Sequence, residues 1–280
     1  MTSTIRELCS RIASSLTETL TNPISARLSR WLRGEIELSE ARLARYQRVL
    51  GDKLVLTRLD FIEHSVFASL QRGLTNHVAG SAEKHALRLL GVVNDNRTGL
   101  RKFLKDYWSG DRQYLSKHAA TRVWYRNHKS IKREIWEQGI ALQSDQLTIQ
   151  MEQNPFEILK LGTYVGSCLG LGGGFSCSAL AALLDVNKQV LYARNHHGVV
   201  VARQLIAISD DERLVCFPVY PVACAASVKA KFREYDLAFA QVLALPIYQA
   251  EEGCDDSYQV SCVLASDWWD DGSWDLNTSD

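Results

Sequence analysis

Apolar residues recur at spacings of three and four through the first half of the chain, and closer together through much of the second. Ile5, Leu8, Ile12, Leu16 and Leu20 fall on one face of a helix. Asn22-Pro23 reads as an N-cap followed by proline at the first helical position, and Ile24, Leu28, Trp31 and Leu32 open the next stripe. The chain restarts after Gly51-Asp52 with LVLTRLDFIEHSVFASL, after Gly80-Ser81 with AEKHALRLLGVV, and after Asn96 with RTGLRKFLKDYW. Helices in series with short breaks predict an all-α N-terminal helical bundle or irregular solenoid.

The period changes near residue 145. QLTIQME alternates as a short strand does, and Asn154-Pro155-Phe156-Glu157 supplies a capped helix start. A loop, GSCLGLGGGFS, leads into the apolar run CSALAALL. KQVLYAR, VVVARQLIAI and RLVCFPVY follow, separated by the turns NHHG and SDDE, which predicts a three-stranded antiparallel meander. Val228, Phe232, Tyr235, Phe239, Val242 and Leu243 then mark an amphipathic helix. The expected class is α+β, with a helical domain over 1–145 and a small α+β domain over 146–280.

Charge sharpens that division. The 280 residues carry 32 Lys/Arg and 32 Asp/Glu, yet residues 1–150 hold a balance of +9 and residues 151–280 a balance of −9. Residues 97–133 alone reach +9, with Arg97, Arg101, Lys102, Lys105, Arg112, Lys117, Arg122, Arg126, Lys129, Lys132 and Arg133 against Asp106 and Asp111. Tyr107, Trp108, Tyr114, Trp124 and Tyr125 interleave with them. Cations neutralise phosphates and aromatic rings stack on unpaired bases, so this segment is expected to contact single-stranded nucleic acid. Alternatively the cations are a solvated helix face and the rings are core, or the segment meets an acidic protein surface, including the protein's own second half.

Composition excludes other classes. Hydrophobic residues are 46% and charged residues 23%, as in ordinary globular proteins. No stretch reaches ~18 uncharged apolar residues, so no membrane partner is expected. The seven cysteines form no CxxC pair, which points to a reducing, cytoplasmic setting and to no metal site. Most of them are expected to be buried, as small hydrophobes.

The segment from Gly166 to Gly174 holds five glycines, and Gly172-Gly173-Gly174 with the nearby Arg203 is a candidate anion cradle. Phe175 breaks GxGxxG and no GK[ST] follows, so no nucleotide fingerprint is met and no cofactor is expected. A tightly packed connection is the plainer reading of the glycines. Arg203, inside a strand apolar on both faces, needs a partner, and Asp185 is the nearest acid in sequence before it.

Cys168 and Cys177 flank the same loop. A cysteine near a helix start, followed by His196 and His197 with Asp185 between, has the order of a Cys-dependent hydrolase or transferase. Structural cysteines and a solvated His-His turn are the competing reading. The terminal SDWWDDGSWD joins three tryptophans to four aspartates and is expected to be tied down by its rings.

LGTYVGSCLGLGG, LDVNKQVLYARN, VVVARQLIAIS, RLVCFPVYP and DWWDDGSWD together resemble a family of uncharacterised bacterial proteins. The resemblance covers residues 118–280 and implies a shared domain without assigning a reaction. The expected function is therefore an accessory or binding protein acting through 97–133, with the Cys168 enzyme and a protein-interaction scaffold as alternatives.

Overall fold

The runs KQVLYAR and VVVARQLIAI pair as a long antiparallel hairpin, and the rest of the sheet grows outward from it. The structure is a computed structural model describing residues 2–15, 26–51, 54, 63, 81–144, 146–248 and 258–269. The chain divides into two compact units, Met1–Gly73 and Leu74–Asp280. The change of composition near residue 145 falls inside the second unit, between its first two strands.

In the first unit, α1 (Thr2–Ser15), α2 (Ala26–Leu32) and helical residues 40–51 bury Ile5, Cys9, Leu28, Leu43 and Leu50 in one cluster. The predicted start at Asn22-Pro23 lies outside the described residues.

The second unit opens with α3 (Ser81–Val92), α4 (Arg97–Trp108), α5 (Tyr114–Lys117), α6 (Ala119–Asn127) and α7 (Arg133–Gln138). Then come β1 (Ala141–Gln143), β2 (Leu147–Met151), α8 (Pro155–Ile158), α9 (Cys177–Leu184), β3 (Lys188–Asn195), β4 (Val200–Ile208), β5 (Leu214–Cys216) and α10 (Ala226–Leu243). The fold is α+β. Its sheet is a five-stranded antiparallel meander in the order β1-β2-β3-β4-β5, so the expected three strands are β3 to β5 and two more precede them.

Both faces of the central hairpin are covered. Leu191 and Ala193 of β3, with Ala202, Ile206 and Ile208 of β4, pack against Phe232, Tyr235, Phe239 and Leu243 of α10 and against Trp124 and Trp136 of the helices before the sheet. Each large ring removed from water there contributes roughly 1.5–3 kcal/mol. Tyr192 and Arg203 are opposite one another in the register and take the other face. There Tyr192 Oη donates to the Glu157 carbonyl (2.7 Å) and Arg203 Nη2 to Ser167 Oγ (3.2 Å). A strand buried on both sides reads without clean alternation, as β4 does from Ala202 to Ile208.

The segment 258–269 crosses this unit as a strap. Its Ser261 carbonyl accepts from Asn187 Nδ2 (2.9 Å) and Lys188 Nζ (3.0 Å), and the Trp269 amide donates to Ser178 Oγ (2.8 Å). Trp268 lies under Lys188 and edge-on to Phe217, and Trp269 stacks on Phe175 at 4.4 Å. The described tryptophans of the terminal motif thus do tie the segment down, while Trp274 lies outside the described residues.

Candidate functional site

Amphipathic spacing presents every cation of the basic segment. In α4, Leu100, Phe103 and Leu104 are buried, so Arg97, Arg101, Lys102 and Lys105 occupy the opposite face. In α6, Thr121 and Trp124 go inward and Arg122 and Arg126 outward. Ile131 is buried between exposed Lys129, Lys132 and Arg133. Arg112 and Lys117 are exposed as well.

Few of these charges are neutralised locally. Lys117 meets Asp111 at 3.8 Å and Arg133 meets Glu137 at 2.9 Å. Lys132 Nζ donates to the Val242 carbonyl at 3.1 Å, and Arg112 to the Tyr107 carbonyl. Arg97, Arg101, Lys102, Lys105, Arg122, Arg126 and Lys129 pair with no carboxylate among the described residues.

The aromatic rings behave differently from the stacking expectation. Trp124 is 7% exposed and sits in the core beside Tyr125 and His128. Tyr125 Oη donates to Glu137 (3.0 Å), and Arg133 covers its ring. Tyr107 packs edge-on to Phe156, and Trp108 Nε1 donates to Glu83 (2.8 Å). Trp124 is thus buried, while Tyr107, Trp108, Tyr114 and Tyr125 are half-buried.

A polar pocket of about 420 Å³ opens at the start of α4, lined by Arg97, Thr98, Gly99, Lys102, Tyr114 and His118. Gly99 lets the helix close on α9, since a Cβ there would stand 2.7 Å from Leu184 Cδ1. Asn96, at φ 61°, gives this helix no side-chain cap. Its Oδ1 accepts from the Ser266 amide (2.6 Å), and its Nδ2 donates to the carbonyls of Cys177 (2.9 Å) and Asp267 (2.8 Å). The first amides of α4 therefore lack a side-chain acceptor, and helix starts in that state favour anions.

The other predicted residues are not assembled into one site. Cys168 is exposed in the glycine-rich loop, and His196 and His197 are exposed at the β3–β4 turn, their rings tilted to one another with centroids 3.8 Å apart. No hydrogen bond joins Cys168 to either ring among the described residues. Asp185 is buried and faces Lys188. Cys177 does begin α9, yet partial burial and Asp267, whose Oδ2 is 3.5 Å from Sγ, push its thiol up. Asp95, Cys177 and Asp267 bring one donor atom each within 4.8 Å of the others.

The glycines of the loop meet backbone at close range. A Cβ on Gly173 would stand 2.1 Å from the Cys168 carbonyl oxygen, and one on Gly162 would stand 2.1 Å from the Gly170 nitrogen. Gly172 has φ +82°. Arg203, expected to pair with Asp185, instead points at Ser167 of this loop and lies over the Tyr220 ring at 4.4 Å. Strand register decides this: Arg203 bridges Tyr220, whereas Asp185 precedes β3 and reaches Lys188 three residues on.

Comparison with protein-family models, curated proteins and solved structures finds no match for this chain. The resemblance carried by LGTYVGSCLGLGG and DWWDDGSWD thus brings no activity with it.

Proposed function

We propose that this is a nucleic-acid-binding accessory protein whose basic face over residues 97–133 engages the phosphate backbone. The observation that carries the reading is the set of seven exposed cations on α4, α6 and the following loop with no carboxylate partner among the described residues. Such charge displaces condensed counterions from phosphates, which is the main source of sequence-independent affinity. The polar pocket at the start of α4 is lined by two of these cations, Arg97 and Lys102, and by one carboxylate, Asp95. With Trp124 buried and the other rings half-buried, charge is the main source of affinity in this reading.

Free cysteines at six described positions support action in a reducing, cytoplasmic compartment. No helix among the described residues is long and apolar enough to cross a membrane.

Fluorescence anisotropy with a mixed-sequence oligonucleotide, single-stranded and duplex, tests the reading. Affinity should fall with salt at a log–log slope of about −0.7 per contact for single strands and −0.9 for duplex. Replacing Lys102, Lys105, Arg122 and Arg126 with Ala should flatten the slope by about three to four units on duplex. Absence of binding at ~50 mM salt, or a slope unchanged in the variant, overturns it.

A further inference from the structure

The strap 258–269 reaches the start of α4 just before the described residues end. The Ser266 and Asp267 amides donate to Asn96 Oδ1 (2.6 and 3.2 Å), and Asn96 immediately precedes Arg97, the first residue of α4. Val263, Leu264 and Ser266 of the strap line the same pocket as Arg97 and Lys102. Two residues after Asp267, the Trp269 amide donates to Ser178 Oγ (2.8 Å), which fixes the point from which the chain continues. Residues 270–280 lie outside the described residues.

The charges on the two sides of that point are opposite. Residues 270–280 carry Asp270, Asp271, Asp275 and Asp280 and no lysine or arginine, a balance of −4. On α4, Arg97, Arg101, Lys102 and Lys105 are exposed and pair with no carboxylate among the described residues, and Asp106 is the one acid of the helix. Arg97 and Arg101, like Arg101 and Lys105, are four residues apart, where like charges repel and a counter-charge relieves them. Reach is not limiting. Eleven residues span at most ~40 Å, and the twelve residues of α4 are roughly 18 Å long. A tether of this kind holds the acidic segment at an effective concentration of order mM, so an intrinsic Kd of ~0.1 mM covers the face about nine-tenths of the time. The same residues on a second copy at ~10 μM are about a hundredfold more dilute, which favours the chain's own segment as the occupant.

We propose that residues 270–280 bind the basic face of α4 in the same chain and compete there with phosphate. The aspartates pair with the four cations of the helix, and an oligonucleotide must displace them to engage it. The competition rests on the nucleic-acid reading above, whereas the contact between the segment and α4 stands without it.

Zero-length carbodiimide cross-linking of the full chain, with isotope-labelled and unlabelled copies mixed and the products mapped by mass spectrometry, tests the contact. At low salt Lys102 or Lys105 should join to one of the four aspartates within a single chain, and the yield should fall at least about fivefold at ~0.5 M salt. The full chain carrying Asp270→Asn, Asp271→Asn, Asp275→Asn and Asp280→Asn should lose that product. It should also bind the mixed-sequence oligonucleotide about tenfold more tightly than the parent at ~50 mM salt, because the face is no longer occupied, and the two should converge as salt rises. No cross-link from Lys102 or Lys105 to these aspartates, or one found only between labelled and unlabelled copies, overturns the proposal. Equal oligonucleotide affinities overturn the competition. Failure of both proteins to bind the oligonucleotide overturns the nucleic-acid reading instead, and the cross-link then decides the contact by itself.

Discussion

Asp185 divides its carboxylate between Lys188 and the strap. Its Oδ2 lies 2.9 Å from Lys188 Nζ with both side chains fully buried, while its Oδ1 accepts from the amides of Val263 (3.1 Å), Leu264 (2.6 Å) and Ala265 (2.8 Å). Lys188 completes the set through Asn187 Oδ1 (3.2 Å) and the Ser261 carbonyl (3.0 Å). Taking both ions out of water is costly, and this density of hydrogen bonds is what makes it tolerable.

Removing one ion should therefore be far worse than the pair's net contribution suggests. Lys188→Met leaves Asp185 buried without its cation and should cost about 3–5 kcal/mol in urea unfolding. Hydrogen exchange at Val263, Leu264 and Ala265 should speed up in the same variant, because their acceptor is destabilised. A loss below about 1 kcal/mol would mean the strap is held by its rings instead.

The glycine-rich loop allows a paired comparison of neighbours. A Cβ on Gly173 would overlap the Cys168 carbonyl oxygen at 2.1 Å, while one on Gly174 meets nothing within 4 Å. Gly173→Ala should lower stability by roughly 2–4 kcal/mol, and Gly174→Ala should change it by less than about 1. Equal thermal midpoints for the two variants would contradict the close approach of these backbones.

Elements with strong local signals were legible in the sequence. The NHHG turn between two apolar runs gave the β3–β4 hairpin, and Asn154-Pro155 gave α8, where Asn154 Oδ1 does accept from the Phe156 amide at 3.0 Å. Asn96 precedes α4, and its side chain serves the strap without capping the helix. β1 is three residues long, too short to show a period. The side-chain hydrogen bonds of the strap join positions 51 to 171 residues apart, and no local pattern encodes them. For the candidate site, exposure of the cations followed from helical spacing, whereas the pocket at α4 exists only through packing.

Cysteine burial was read too generously, and the correction is measurable. Cys9 and Cys216 are buried, Cys177 and Cys224 half-buried, and Cys168 and Cys262 exposed. Burial pushes the Cys262 thiol up despite its exposure, as it does for Cys216 beside Asp236. Iodoacetamide at pH 7 should therefore label Cys168 first, Cys262 more slowly, and Cys216 only after denaturation, as followed by peptide mass mapping. Early labelling of Cys216 would refute the packing of β5 against α10.

Asp236 gives the fold a pH dependence of calculable sign. It is wholly buried on α10, where its Oδ2 accepts from Gln204 Nε2 at 2.9 Å and its Oδ1 has no partner among the described residues. Burial pushes its carboxyl up to about 7, and the Gln204 amide, the Cys216 thiol and the more distant Arg233 only partly offset that. The unfolded chain releases this proton near pH 3.9, so between about 4 and 7 the folded state holds a proton that the unfolded state has lost. The group's contribution is thus fully present below about pH 4, declines as pH rises towards 7, and is lost above it. Asn at this position imitates the protonated acid and cannot ionise. The stability of Asp236→Asn relative to the parent should rise by up to about 1.4 kcal/mol per pH unit between pH 5 and 7, then level off by about pH 8. Urea titrations of both proteins across that range check it, and a difference that stays constant with pH would show that Asp236 ionises in the folded protein as it does in the unfolded chain.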